Sequence, residues 1–253
     1  MISTRVIPCL QLIGESLVKT VKFDRPAYVG DPVNTVRIFN ELEVDELCFL
    51  DIRATIEDRK PNLGILRQIA DECFMPLSYG GGVKDFETAK NILSIGFEKI
   101  IVNSSAYADP DLVTTLSKHF GAQAVIASID IKKGLFGKYN VFIKDGKYKT
   151  EKEPVSWAKE LERLGAGEIL LTSMDRDGTW TGYDIEITKK ISETVTIPVI
   201  ANGGAGSIED IARVVKEGRA SAAALGSLVV YQKKGMGVLV NFPDKKKLDE
   251  QLK

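Results

Sequence analysis

Asp130 closes an apolar run, Ala124–Asp130. A carboxylate at a strand end can act as a general acid or base if its surroundings tune its pKa, or it can cap the loop that follows. The stretch Val6–Leu12 aligns with Val125–Ile131 and sets Gln11 where the second copy has Asp130. A primary amide does not titrate near neutrality, so Gln11 cannot replace a carboxylate in proton transfer. Two glycine clusters come next: Gly80-Gly81-Gly82, and Gly203-Gly204 with Gly206, each closing an apolar run ahead of a helix start. Either the strand-to-helix turn needs glycine's freedom, or backbone N–H groups and a helix N-terminus there hold an anion. Their matching places, completed by Asn103-Ser104 and Gly226-Ser227, favour two phosphate cradles on opposite sides of one opening. The ligand is then a small molecule carrying two separated phosphates, for this chain or for an ancestor. Asp51 and Asp177 end or follow two further runs, placed to bind ribose hydroxyls or to orient other groups.

Other charges stand at strand starts: Arg5, Glu46, Lys99 and Glu168. Either they face solvent around a lower rim, or they pair into a ring across the opening. Desolvated there, they persist only if mutually hydrogen-bonded, and such a ring would be a gate. The single histidine, His119, lies late in a helix beside Phe120 and Gly121, where the dipole favours partial positive charge. One histidine leaves little room for a Ser-His-Asp or Cys-His centre or for a histidine-based metal site. Cys9, Cys48 and Cys73 are odd in number, lack CxxC spacing and lie in or beside apolar runs. They read as buried reduced thiols in a reducing compartment. No motif points to a metal or redox cofactor.

The elements that must carry these groups alternate in type. Strand candidates are Arg5–Gln11, Glu46–Asp51, Pro76–Gly80, Lys99–Asn103, Ala124–Asp130, Glu168–Ser173, Pro198–Asn202 and Ser221–Gly226. Several are almost wholly apolar, as parallel strands covered by helices must be. Asp85–Ile95, Pro110–His119, Pro154–Leu164 and Ser207–Lys216 read as amphipathic helices. Eight β-then-α units predict an α/β fold closed into a (β/α)8 TIM barrel. Pro76–Gly82 aligns with Pro198–Gly204 and Glu46 with Glu168, so the barrel is two repeated half-barrels, a single domain over 1–253. Leu12–Asp31, carrying Lys19 and Lys22, shows little periodicity, whereas Lys138–Lys149 alternates around a hairpin signal at Asp145-Gly146. Both follow a strand and so lie over the C-terminal mouth, where such barrels place their chemistry.

With 44% hydrophobic and 27% charged residues among 253, disorder is excluded as the main state. A net charge of −1, from 34 basic and 35 acidic residues, leaves no global field to collect nucleic acid or an anionic membrane. The N-terminus has no apolar core of signal type and no stretch approaches the ~20 residues of a membrane span, so a cytoplasmic protein is expected. Lys245-Lys246-Lys247 is expected on a solvated helix surface.

Together these residues resemble the cyclase subunit of imidazole glycerol-phosphate synthase. The specific stretches are Arg5–Leu10, Phe49–Ile52, Tyr79–Gly82 and the long run Gly165–Thr179. In that family a glutaminase subunit docks at the N-terminal face of the barrel. Ammonia passes a charged gate, matched by Arg5, Glu46, Lys99 and Glu168, and meets a bis-phosphorylated ribonucleotide above. A flexible loop after the first strand matches Leu12–Asp31 with Lys19. The two catalytic aspartates of the family are matched by Gln11 and Asp130, which is the departure. Val229–Pro243 departs too. Both departures, with Val18–Phe23 and Tyr28–Pro32, resemble a second branch associated with sugar amidation in O-antigen and other surface polysaccharides. The resemblance implies the synthase-side subunit of a glutamine-dependent amidotransferase, working with a glutaminase and a sugar amidotransferase. Two readings stay open beside it: a working cyclase in which Asp51 or Asp177 replaces the missing carboxylate, and a non-catalytic scaffold that activates its partners.

Overall fold

The computed structural model of the chain describes residues 4–252. The expected domain span of 1–253 exceeds these at residues 1–3 and 253, which lie outside the described residues. The strands are β1 (Arg5–Ile13), β2 (Ser16–Val21), β3 (Asp24–Gly30), β4 (Leu47–Asp51), β5 (Leu77–Gly80), β6 (Lys99–Val102), β7 (Val125–Lys133), β8 (Tyr139–Ile143), β9 (Tyr148–Lys149), β10 (Glu168–Ser173), β11 (Val199–Asn202) and β12 (Ala222–Leu225). The helices are α1 (Pro32–Glu41), α2 (Leu63–Glu72), α3 (Phe86–Ser94), α4 (Ser104–Ala108), α5 (Asp111–Phe120), α6 (Pro154–Leu164), α7 (Ile185–Ser192), α8 (Ile208–Lys216), α9 (Ser227–Val230) and α10 (Lys245–Leu252). Parallel pairing runs β1-β4-β5-β6-β7-β10-β11-β12 and returns to β1, so the sheet closes into the eight-stranded (β/α)8 barrel.

The side-chain period of two in a strand explains how so short a sequence builds two separate cores. On β1, Val6, Leu10 and Leu12 point out to the large core beneath the helices, while Ile7 and Cys9 point into the barrel. On β10, Ile169 and Leu171 point out and Leu170 in. The inner set, including Cys48, Ile101, Ile126 and Ile200, is a small apolar layer across the barrel's waist. Inward positions below that layer are the strand-start charges; those above it are Gln11, Asn103, Asp130, Thr172 and Asn202. Helix starts are fixed locally, as at α1, where the Asp31 side chain accepts from Asn34 N–H ahead of Pro32. Among the described residues no helix is long and apolar enough to cross a membrane.

Each half opens with the same device: a long strand followed by an antiparallel hairpin. β1 pairs with β2 and β2 with β3; β7 pairs with β8 and β8 with β9. The second hairpin lies where Asp145-Gly146 predicts it. The first corrects the expectation of an aperiodic Leu12–Asp31. That segment alternates, with Leu17 and Lys19 buried, but its inward side chains include a lysine and its turn, at Lys22 and Phe23, has no glycine. Cys9 and Cys48 are buried free thiols with their sulfurs 3.7 Å apart, and Cys73 is half-buried. His119 stands in the last turn of α5, its Nδ1 2.8 Å from Thr115 O, and Lys245–Lys247 are exposed on α10.

Candidate active site

The lower opening is crossed by a closed ring of ion pairs. Arg5 donates to Glu46 at 2.8 Å and to Glu168 at 2.7 Å; Lys99 reaches Glu46 at 3.1 Å and Glu168 at 2.9 Å. Of the two alternatives for these strand-start charges, the structure has the mutually paired one. Glu46 and Glu168 are 4% and 9% exposed at their side chains, and each is paired with both cations, which offsets the cost of taking these groups out of water. Lys99→Met therefore strands part of that charge. It is expected to cost about 3 kcal/mol, the low end of the range for breaking a buried pair, because the Lys99 side chain keeps 15% exposure. Urea denaturation checks this, and a loss below about 1 kcal/mol would show that the ring adds little to the fold.

At the opposite end of the barrel, Gln11, Asp51, Gly81, Asn103, Ser104, Asp130 and Asp177 line one open cavity, with Thr20, Phe23 and Asp145 contributed by the two hairpins. It opens to solvent at the mouth of the barrel, where such folds bind their ligands. Asp130 ends the barrel part of β7. Asn103 Nδ2 donates to its Oδ2 at 3.1 Å, and Ser128 Oγ lies 3.5 Å from its Oδ1. Burial, reinforced by the charge of Asp145, outweighs these hydrogen bonds and lifts its pKa to about 7. A carboxyl near neutrality can both take and give a proton.

Gln11 has no such freedom. Its Oε1 accepts from Thr20 N–H at 2.8 Å, tying the first hairpin to the strand, and lies 3.1 Å from Thr20 Oγ1. Thr20 Oγ1 donates onward to Asp177 at 2.8 Å, and Lys19 Nζ, 4% exposed at its side chain, meets Asp177 at 2.7 Å. Lys19 and Asp177 thus form a buried latch between hairpin and barrel. Asp51 is also engaged: it accepts from the N–H groups of Arg53 and Ala54 and pairs with both terminal nitrogens of Arg59 at 3.2 Å. Neither aspartate is free in the way a replacement acid–base group requires.

The first set of expected phosphate residues converges. Gly81, Gly82, Asn103 and Ser104 surround one pocket beside the cavity, with Lys84 and Lys144 on its rim. Asn103 and Ser104 spend their side chains internally, on Asp130 and on the Lys144 N–H. In the second set, Gly203 and Gly204 are buried, and the stem of Lys19 packs over Gly226, where a Cβ would sit 2.8 Å from Lys19 Cε. Ser227 is buried and borders a separate groove. Glycine itself is demanded by geometry at Gly81 and Gly204, which have φ of 120° and 110°, and where a Cβ would lie 2.4 Å from Asp51 O and 2.2 Å from Gly182 O.

Asp145 is the group that sequence reasoning passes over. It appears there only as a turn residue, although that turn folds back from the strand of Asp130. Half-buried, it lines the same cavity, and burial lifts its pKa to about 6 against the opposing charges of Arg53 and Lys147.

A (β/α)8 barrel with a polar, carboxylate-bearing cavity at the C-terminal ends of its strands belongs to the class of barrels that bind small ligands at that face. Residues 5–235 match the family described as "Histidine biosynthesis protein". The chain is 47% identical over 231 residues to the imidazole glycerol phosphate synthase subunit HisF of Alkaliphilus metalliredigens, covering 91% of this chain and 92% of that one. It is 42% identical over 245 residues to HisF of Nostoc sp., with 96% and 95% covered. Over 249 residues it is 47% identical to a Pseudomonas aeruginosa protein provisionally named imidazole glycerol phosphate synthase subunit hisF2, with 98% and 99% covered. The chain belongs to the histidine biosynthesis protein family, in its branch of HisF-type cyclase subunits.

Proposed function

We propose that this chain, a single-barrel cytoplasmic subunit, is the synthase side of a glutamine-dependent amidotransferase whose ammonia acceptor is not the histidine-pathway ribonucleotide. A glutaminase docks at the N-terminal face, and ammonia passes Arg5, Glu46, Lys99 and Glu168 and the apolar waist to reach the mouth. The acceptor is a phosphorylated sugar compound, a nucleotide-sugar of O-antigen or similar surface polysaccharide, modified together with a sugar amidotransferase. Gly81, Gly82, Asn103 and Ser104 hold one phosphate; Gly203, Gly204, Gly226 and Ser227 hold the other.

The observation that carries this reading is Gln11, an amide used as a structural tie to Thr20 where ring closure calls for a titrating group. The hisF2 name of the Pseudomonas relative, a numbered further copy, is compatible with it. The competing reading, ring closure in histidine biosynthesis, draws on the names of the Alkaliphilus and Nostoc relatives. One assay separates them. The purified barrel is given ammonium and the bis-phosphorylated ribonucleotide, and ring closure is timed. Slow turnover, beside strong stimulation of a partner glutaminase, is expected; turnover at the pace of an aspartate-bearing HisF would overturn the proposed acceptor. Stimulation without any transfer of glutamine nitrogen would reduce the chain to a scaffold.

A further inference from the structure

Two carboxylates line the cavity besides the engaged Asp51 and Asp177, and the second comes from a hairpin rather than a barrel strand. Asp130 and Asp145 both line it. β7 and β8 pair from Asp130↔Phe142 to Lys133↔Tyr139, so the chain returns along β8 and its turn arrives back over the barrel mouth. That turn is fixed on two sides. Lys144 N–H donates to Ser104 Oγ at 3.0 Å, and Gly146 lies so close to Met174 that a Cβ would come within 2.3 Å of its Cε. Asp51 and Asp177 are bound by arginine, lysine and backbone donors. No hydrogen bond among the described residues holds the Asp145 carboxylate, so it remains available to a ligand.

We infer that Asp145 supplies the second acid–base carboxylate that Gln11 cannot, acting with Asp130 on the ammonia chemistry at the mouth. The inference rests on ammonia arriving there, as proposed above, and not on which acceptor waits. Positive charge faces Asp145 from Arg53 and Lys147, and negative charge from Asp177 and Asp130. With pKa values near 6 and 7, one member is readily ionised while the other holds its proton. The ionised member takes a proton from ammonia as the nitrogen bonds to an acceptor carbonyl carbon, and the protonated member gives one to the carbonyl oxygen. The first then protonates the hydroxyl, which leaves as water, while the second removes a proton from nitrogen. The product is an imine, and both carboxyls return to their starting states.

The test is a cycle of Asp145→Asn and Gln11→Asp in the ammonium-driven ring-closure assay with the bis-phosphorylated ribonucleotide. Asparagine tolerates the turn, where residue 145 has φ of 54°. Asp145→Asn alone is expected to lower the slow wild-type kcat by about 10²-fold with KM nearly unchanged, the size of one acid–base contribution, and to remove one limb of the pH–rate profile. In the Gln11→Asp background the same change is expected to cost less than about threefold, because the strand-borne carboxylate takes over. Equal losses in both backgrounds or an unaltered pH profile would overturn the role of Asp145. Fast wild-type turnover that Asp145→Asn abolishes would instead reject the proposed acceptor and leave Asp145 standing.

Discussion

Gln11→Asp is expected to raise ammonium-driven ring closure by about 10²-fold, the lower part of the 10²–10⁴ range for a positioned acid–base group. The side chain at residue 11 lies on the inner face of β1 and lines the same cavity as Asp130, so the exchange puts a titrating oxygen where an amide now stands. The gain falls short of the full range because Asp145 already covers part of the task. There is a structural cost. Aspartate is one methylene shorter, and the Thr20 N–H now bound by Gln11 Oε1 at 2.8 Å loses a well-placed acceptor. About 1 kcal/mol of stability goes with it, felt mostly in the β2–β3 hairpin, and faster amide exchange there is the companion measurement. A rate unchanged within threefold would show that the amide is not what limits this barrel.

Asp130→Asn is expected to separate activity from stability. Activity falls by at least about 10²-fold, since the remaining carboxylate has no partner with which to exchange protons. Stability moves the other way, and only at high pH. A carboxyl with its pKa lifted to about 7 holds its proton more tightly in the folded chain than in the unfolded one. The stability that linkage provides is complete below pH ~4, the ordinary aspartate range, and is lost as pH rises through about 7. The variant does not titrate at this position. It is expected to match wild type at pH 4 and to exceed it at pH 8 by on the order of 2–4 kcal/mol. Thermal unfolding at the two pH values decides; a wild type as stable as the variant at pH 8 would mean that Asp130 ionises without penalty.

The barrel is legible in the sequence because its strands are buried on both faces, which leaves near-continuous apolar runs such as Ile169-Leu170-Leu171. Helix α6 begins and ends where Pro154 and Gly165 say it must, with Pro in its first turn and a left-handed glycine after its last. Hairpin β2–β3 is not legible. Its Lys19 and Thr20 are buried by a latch to Asp177 that lies far along the chain, and Lys22 and Phe23 take positive φ without glycine. The cavity is readable in part. Strand-end residues announce themselves by following apolar runs, so Gln11, Asn103 and Asp130 stand out. The availability of Asp145, and the engagement of Asp51 and Asp177, depend on contacts between segments that no local pattern encodes.

The alternation along β1 has a consequence for how such a protein can diverge. Arg5, Ile7, Cys9 and Gln11 share the lumen side, while Val6, Leu10 and Leu12 belong to the outer packing. Rim chemistry is therefore encoded in codons that the helical coat never reads. A lineage can exchange its reactive groups one substitution at a time and keep its scaffold untouched, whereas a one-residue insertion in the same strand would turn all the lumen groups beyond it outward at once.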